Sequence, residues 1–291
     1  METKETLSHA LIDAIVLALK TKRPDLEIRP NEVIKNKQTF HGIVIKTPSA
    51  SIAPNIYVEN YISHFDDVDS IADAILNTYE ENKGPDCFNA SEILNKDFIL
   101  SHVTVIMQQE SDENLIKLPN ISSRYPGSEA YLAVVSQVDG EGIGSVKLTP
   151  QILQSANLSI EDDHLFEHAL SNLKEQVVIT SMFETLKQMT GLPDDCDMPL
   201  PFDDSMFVIT NKSKTKGAAS ILCDDILKDF AKEHHVDSFY ILPSSVHECI
   251  IVVNKQDVDI DCLSQMVISI NQTEVDKEDW LASEAWLYTV N

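Results

Sequence analysis

Leu7, Leu11, Ile15 and Leu19 recur every fourth residue near the start of the chain, and Ile12 and Val16 widen the stripe. That period predicts a helix over 6–22, stopped by Pro24. Strand-like runs follow at 26–34 and 40–45, joined through Asn36-Lys37-Gln38. A second helix is predicted over 69–81, with Ile71, Ile75, Leu76 and Tyr79 on one face. Its leading aspartates suit the positive helix end, and Gly84-Pro85 is its stop. The middle of the chain predicts strands at 98–107, 130–138 and 143–148, the last two turned by Asp139-Gly140-Glu141-Gly142. Thr149-Pro150 reads as an N-cap followed by proline in the first turn. Ser181-x-x-Glu184 is a full capping box and Ser159-x-x-Asp162 a variant of one; Gly191 closes the helix that the former opens.

Residues 193–204 are acidic, contain prolines and lack apolar periodicity, as a linker would. Beyond them the pattern predicts strand 206–210, a lysine loop, helix 223–235, strands 239–242 and 247–253, helix 260–270 and a last strand near 286–290. Helices alternating with adjacent hairpins indicate an α+β fold with mixed or antiparallel sheets and packed helices. Two or three subdomains are expected: an N-terminal α/β segment 1–85, an acidic middle α+β segment 86–192, the linker 193–204 and a C-terminal α+β unit 205–291.

Charge narrows the function classes. The 291 residues hold 22 Lys and Arg against 47 Asp and Glu, a net −25, and 43% of them are apolar. Between 86 and 204 there are 6 basic and 20 acidic residues. Such a surface opposes any broad grip on phosphate backbones or anionic lipid, so neither direct nucleic-acid binding nor membrane binding is expected. Asp13 interrupts the apolar run at 10–19, and Glu2 and Glu5 precede it, which is unlike a secretory signal. No uncharged run approaches the roughly 20 residues of a spanning helix. Cys87, Cys196, Cys223, Cys249 and Cys262 are odd in number and never spaced Cys-x-x-Cys, so neither a disulfide framework nor a zinc ribbon is read from them. The last three fall in apolar-patterned segments and are expected to be small buried hydrophobes. A reducing cytoplasm is the expected compartment.

The chemistry-bearing residues concentrate in Tyr240-Ile-Leu-Pro-Ser-Ser-Val-His-Glu248. A serine hydrolase needs a hydroxyl, an imidazole and a carboxylate that orients it. Ser244, Ser245, His247 and Glu248 supply the types, with Thr210 or Asn211 as an oxyanion donor. In extended chain Ser245 and His247 share a face, whereas Glu248 points to the opposite one, which opposes a direct His–Glu pair. There is no Gly-x-Ser-x-Gly elbow. A hairpin whose polar side chains satisfy turn backbone is the simpler expectation.

Other motifs read as ordinary structure. His234-His235 is cationic decoration of a helix end. Lys212, Lys214 and Lys216 sit in a solvated strand-to-strand loop without P-loop spacing. Gly140, Gly142 and Gly144 mark a hairpin turn. Asp66-Asp67-Val68-Asp69 is helix-start acid, and Asp194-Asp195-Cys196-Asp197 belongs to the linker. No metal and no cofactor is expected.

Thr210-Asn211-Lys212, Gly217-Ala218, Tyr240–Glu248 and Asn271-Gln-Thr-Glu-Val275 together resemble an uncharacterised bacterial, Firmicutes-type family of unknown function. The resemblance extends to the N-terminal helix, Ile52-Ala-Pro-Asn-Ile-Tyr-Val58 and the 98–107 run, and so covers the whole chain. Its most specific part is Pro243-Ser244-Ser245 with His247-Glu248. The chain departs from the family pattern at Leu281-Ala-Ser-Glu284, at its end, Thr289-Val-Asn291, and over 118–131. A family of this kind implies no activity, substrate or cofactor. The reading is a cytoplasmic, non-catalytic binding or interaction protein with a protein partner. The alternatives are a hydrolase or transferase centred on Ser245 and His247, and an acidic nucleic-acid mimic.

Overall fold

A computed structural model describes residues 9–35, 38–48, 53–65, 67–81, 93–138, 142–190, 205–253 and 259–290. The architecture is α+β with three antiparallel sheets among these residues. The chain forms two compact units, 1–93 with 137–144, and 94–136 with 145–291.

In the first unit, α1 (His9–Lys22) leads into β1 (Glu27–Lys35), β2 (Gln38–Lys46) and β3 (Asn55–Tyr57), followed by α2 (Glu59–Ile62) and α3 (Val68–Glu81). The sheet order is β1-β2-β3, so β1 has a single strand neighbour among the described residues. Register pairs Ile28 with Ile45, Pro30 with Ile43, and Ile43 with Ile56, so one face carries the isoleucines. That face joins Ile12, Ile15, Val16 and Leu19 of α1 and Ile71, Ala72, Ile75 and Tyr79 of α3 in one core. Asp67 starts α3 by accepting the Ser70 N–H at 2.8 Å, the helix-start role read from sequence. Its neighbour Asp66 lies outside the described residues.

The second unit opens with a correction. The run 98–107 is not one strand: α4 (Lys96–His102) precedes β4 (Val103–Gln109). Asn95 caps this helix by accepting the Phe98 N–H at 3.1 Å, and an unbroken β-branched stretch, Val103-Thr-Val-Ile106, starts only after it. An apolar run without alternation suits a buried helix and a buried strand equally, and here the cap decides. Next come α5 (Ile121–Arg124), β5 (Ser128–Val138) and β6 (Gly142–Lys147), with β4-β5-β6 forming a sheet. Thr149 caps α6 (Pro150–Ser155) as expected, accepting the Ile152 N–H at 3.3 Å. At Ser159 the answering carboxylate is Asp163, whose Oδ2 accepts the Ser159 N–H at 2.8 Å, and α7 (Leu165–Lys174) starts after that turn.

β7 (Val177–Ser181) was not expected; α8 (Met182–Thr190) follows it, with Ser181 accepting the Glu184 N–H at 3.1 Å. β7 pairs with β8 (Met206–Asn211), Ile179 opposite Ile209. One sheet therefore includes strands from both sides of 193–204, a stretch that lies outside the described residues, as do Gly191 and the 139–141 turn. α9 (Asp224–Glu233), β9 (Ser238–Pro243), β10 (Cys249–Val252), α10 (Ile260–Thr273) and β11 (Trp286–Thr289) complete the order β11-β9-β10-β8-β7. On one face Phe207, Ile209, Phe239, Ile241, Ile251 and Trp286 join the main core with Leu227 and Phe230 of α9. On the other, Tyr240, Leu242, Ile250 and Val252 meet Leu263 and Val267 of α10. Period-two alternation thus buries both faces.

Among the cysteines, Cys223 and Cys249 are buried, but Cys262 is exposed, because Leu263 and Val267 define the inward face of α10. His234 sits at the end of α9 with its ring against Phe207 and Phe230, at centroid distances of 4.5 and 4.3 Å. Among the described residues no helix is long and apolar enough to cross a membrane.

Candidate functional site

Pro243 pairs with Cys249, so residues 244–248 form the connection between β9 and β10. The strand read at 247–253 begins two residues late because this connection is bent. The Ser245 N–H donates to the Glu248 carbonyl at 3.2 Å, and the His247 N–H donates to Ser245 Oγ at 3.0 Å. Ser245, buried at 9% exposure, is thereby a turn-forming hydroxyl. Its neighbour Ser244 is half-buried on the same connection.

Three other segments anchor the connection. The Val246 N–H donates to the Asp279 carbonyl at 2.8 Å, and the Val246 carbonyl accepts the Ala218 N–H at 3.2 Å. The His247 carbonyl accepts the Gly217 N–H at 2.9 Å and Thr210 Oγ1 at 2.8 Å. Thr210 is fully committed, since its own carbonyl takes the Ser220 hydroxyl at 3.0 Å. Asn211 closes the lysine loop: its Nδ2 donates to the Thr215 carbonyl at 2.8 Å, and its Oδ1 accepts the Ser213 hydroxyl at 2.8 Å and the Thr215 N–H at 3.2 Å. That loop does not run strand to strand. It turns through Lys214 and Lys216, both in left-handed backbone at φ 54° and 52°, into a 3-10 helix over Gly217–Leu222. Gly217 has to be glycine, because a Cβ there would lie 2.4 Å from Thr210 Oγ1 and 2.6 Å from the Asn211 amide.

The imidazole of His247 meets partners the sequence did not pair with it. Nδ1 accepts the Lys216 N–H at 3.1 Å, and Nε2 lies 3.3 Å from Asp279 Oδ1. An amide donor on Nδ1 places the proton of the neutral ring on Nε2, facing Asp279. The Asp279 carboxylate holds the imidazole pKa above its ordinary value, against partial burial, and the charge of Glu248 adds a smaller push in the same direction. Asp279, in the short 3-10 helix Lys277–Asp279, is 32 residues downstream of His247, and no spacing rule links them.

The structure therefore gathers Thr210, Ser245 and His247 around one backbone junction, sets Asn211 at the base of the adjoining loop, and replaces Glu248 by Asp279 as the imidazole's partner. A Ser–His proton relay needs the hydroxyl on the ring nitrogen. Here Ser245 Oγ is bonded to the amide of His247, and both ring nitrogens have other partners. Among the described residues, no group of three or more His, Cys, Asp or Glu side chains is placed to hold a metal ion.

A second His–carboxylate pair went unnoticed in the sequence. In the first unit Glu59 Oε1 lies 2.8 Å from His41 Nδ1 and also accepts the His41 backbone N–H at 2.8 Å, pinning the start of α2 to β2. The carboxylate stands at the head of that helix, where acids are favoured, but the pairing depends on β2 and β3 being neighbours.

Comparison with curated proteins and with solved structures gives no match. A family model described as a family of unknown function, DUF5688, matches residues 7–289. With nearly its full length matched, the chain belongs to this family of unknown function.

Proposed function

We propose that the protein is a non-catalytic binding or protein-interaction protein of the cytoplasm. The observation that carries this reading is the use of the polar cluster as bracing. Ser245 Oγ accepts an amide, Thr210 Oγ1 donates to a carbonyl, and the His247 ring bridges Lys216 and Asp279. These bonds hold a hairpin, a loop and a 3-10 turn together and, among the described residues, occupy both nitrogens of the His247 ring with groups other than a hydroxyl. The net −25 surface favours partners with basic faces and makes their capture dependent on salt.

A second reading, a hydrolase centred on His247, draws on the His247–Asp279 pair at 3.3 Å. A fluorophosphonate probe separates the two. The first reading expects no labelling of the folded chain and salt-sensitive co-purification of a defined protein partner. Labelling that disappears in both Ser245→Ala and His247→Ala overturns it in favour of the second.

A further inference from the structure

The helices on the two faces of the five-stranded sheet, α9 and α10, differ in what they show to solvent. Six of the ten residues of α9 are charged, against one of the fourteen of α10. Of the whole chain 24% is charged, yet no residue from Cys262 to Thr273 is. Packing does not demand this. Leu263, Val267 and Asn271 form the inward face of α10, while Cys262, Gln265, Met266, Ser269, Ile270 and Thr273 are exposed. A surface helix ordinarily carries charge on that side. Here Met266 and Ile270 stand at 45% and 38% exposure.

The exposed residues form two rows. Cys262, Met266 and Ile270 recur every four positions and make one ridge; Gln265, Ser269 and Thr273 make the next. The opposite flank of α10 is occupied. Ser264 Oγ accepts the Ala285 N–H at 3.0 Å, and Asn271 Nδ2 donates to the Ala282 carbonyl at 2.9 Å. Helical spacing puts 264 and 271 on one side of Val267, and 266 and 270 on the other. An apolar ridge beside a row that holds the small Ser269 suits the interdigitation of four-residue rows on two helices, which cross near −50°. The ridge is also its own complement. With a two-fold axis at Met266, Cys262 of one copy meets Ile270 of the other, twice over.

Charge selects the occupant. A basic partner gains nothing from an uncharged face, whereas two copies of a chain of net charge −25 repel least where no acid stands. The nearest acids along the chain, Asp259, Asp261 and Glu274, sit at the ends of α10, which a crossing near 50° carries apart. We propose that the outer face of α10 is a self-association surface, on which two copies pack α10 against α10 about Met266. The helices run antiparallel, so that their dipoles oppose. One helix face is less than the about 800 Å² per partner of a standard interface, so the dimer is weak and reversible, with a Kd on the order of 10–100 μM. This surface is separate from the His247 junction, and the proposal stands whether or not that junction is catalytic.

The test is sedimentation velocity of the full chain from about 5 to 500 μM, at about 0.15 and 1 M salt. The sedimentation coefficient should rise with concentration, and rise further at high salt, which screens the repulsion between copies; capture of a basic partner has the opposite salt dependence. Met266→Glu sets two acids at the axis and should weaken association about tenfold or more with an unchanged far-ultraviolet spectrum. Leu17→Glu, on a side chain of α1 that is 68% exposed, should leave association unchanged. In a Cys87→Ser, Cys196→Ser background, diamide should cross-link Ile270→Cys through Cys262, and Met266→Cys after Cys262→Ser, whereas Cys262 alone should give little dimer. A monomer across the whole range, a dimer untouched by Met266→Glu, equal loss in Leu17→Glu, or cross-linking by Cys262 alone as efficient as with Ile270→Cys would each overturn the proposal. So would a monomer that floats with vesicles of zwitterionic lipid and loses that binding in Met266→Glu, which would assign the face to a membrane surface.

Discussion

Gly217→Ala should be among the most damaging single-methyl additions in the second unit. The Gly217 N–H donates to the His247 carbonyl at 2.9 Å, and the new Cβ would lie 2.8 Å from that same oxygen, 2.6 Å from the Asn211 amide and 2.4 Å from Thr210 Oγ1. Two of those neighbours are backbone of β8 and of the β9–β10 connection, so no rotamer change relieves them. Thr210, at 4% exposure, has nowhere to turn, and moving it breaks its bond to the His247 carbonyl. Overpacking costs about 1–3 kcal/mol. Two weakened hydrogen bonds add about 1 kcal/mol each. The sum, about 3–5 kcal/mol, lowers the melting temperature of a unit of this size by about 6–20 °C. Trp280 and Trp286 are the two tryptophans of the chain, and both belong to the second unit, so tryptophan fluorescence in urea reports that unit alone. Gly127→Ala is the control. There the Cβ meets only Ala282 Cβ at 3.9 Å and the cost is the positive φ of 80°, about 1 kcal/mol. Gly217→Ala unfolding within about 0.5 kcal/mol of wild type would refute the steric reasoning.

Three further outcomes are expected. Burial would raise the Glu129 pKa, but the Lys117 ammonium with Gln108 and Ser111 outweighs it and holds the carboxylate below its usual range. Its stabilising contribution is therefore present above the ordinary glutamate range, about pH 4.3, and lost as pH falls through the depressed value; urea midpoints of wild type and Glu129→Gln should converge as pH falls below that range, and a constant gap would refute it. Asp279→Asn should bring the His247 titration, followed by NMR of the ring, down toward the ordinary histidine value, and an unmoved titration would exclude Asp279 as its cause. In a Cys87→Ser, Cys196→Ser background, iodoacetamide at about neutral pH should modify Cys262 and spare Cys223, whose thiol burial pushes up to about 11, and Cys249, which is raised further; peptide mass mapping that finds Cys249 modified in native protein would contradict its burial.

The elements that could be read from the chain are those whose boundary chemistry is local. The α1 stripe, the Thr149 cap, the Ser181 capping box and the alternation in β8 to β11 each rest on residues within a turn or two. Two departures share another origin. At 98–102 the apolar run has no period of its own, so a single cap at Asn95 decides between helix and strand. At 177–181 every residue is half-buried, which blurs the alternation, and the strand is specified by β8 lying beside it across 191–205. Local pattern identifies an element, whereas a partner distant in sequence decides whether a weak one becomes a strand.

The same division explains the candidate site. Ser245, His247 and Thr210 were legible as a polar cluster because they flank apolar strands, but their roles depend on what the fold brings opposite. Alternation opposed a direct pairing of the imidazole with Glu248, and in the structure its nearest acid is Asp279, with Glu248 acting by charge alone. Asp279 arrives through a 3-10 turn after α10, and Lys216 through a left-handed residue before Gly217. Both approaches depend on Val246 and His247 offering backbone groups outward, because Val246 N–H binds the Asp279 carbonyl while the His247 carbonyl binds Gly217. The junction is thus assembled by main chain first, and the imidazole is its last bridge. It follows that His247→Gln should keep the junction folded while losing only the ring's bonds, whereas Gly217→Ala removes the approach that all of them need.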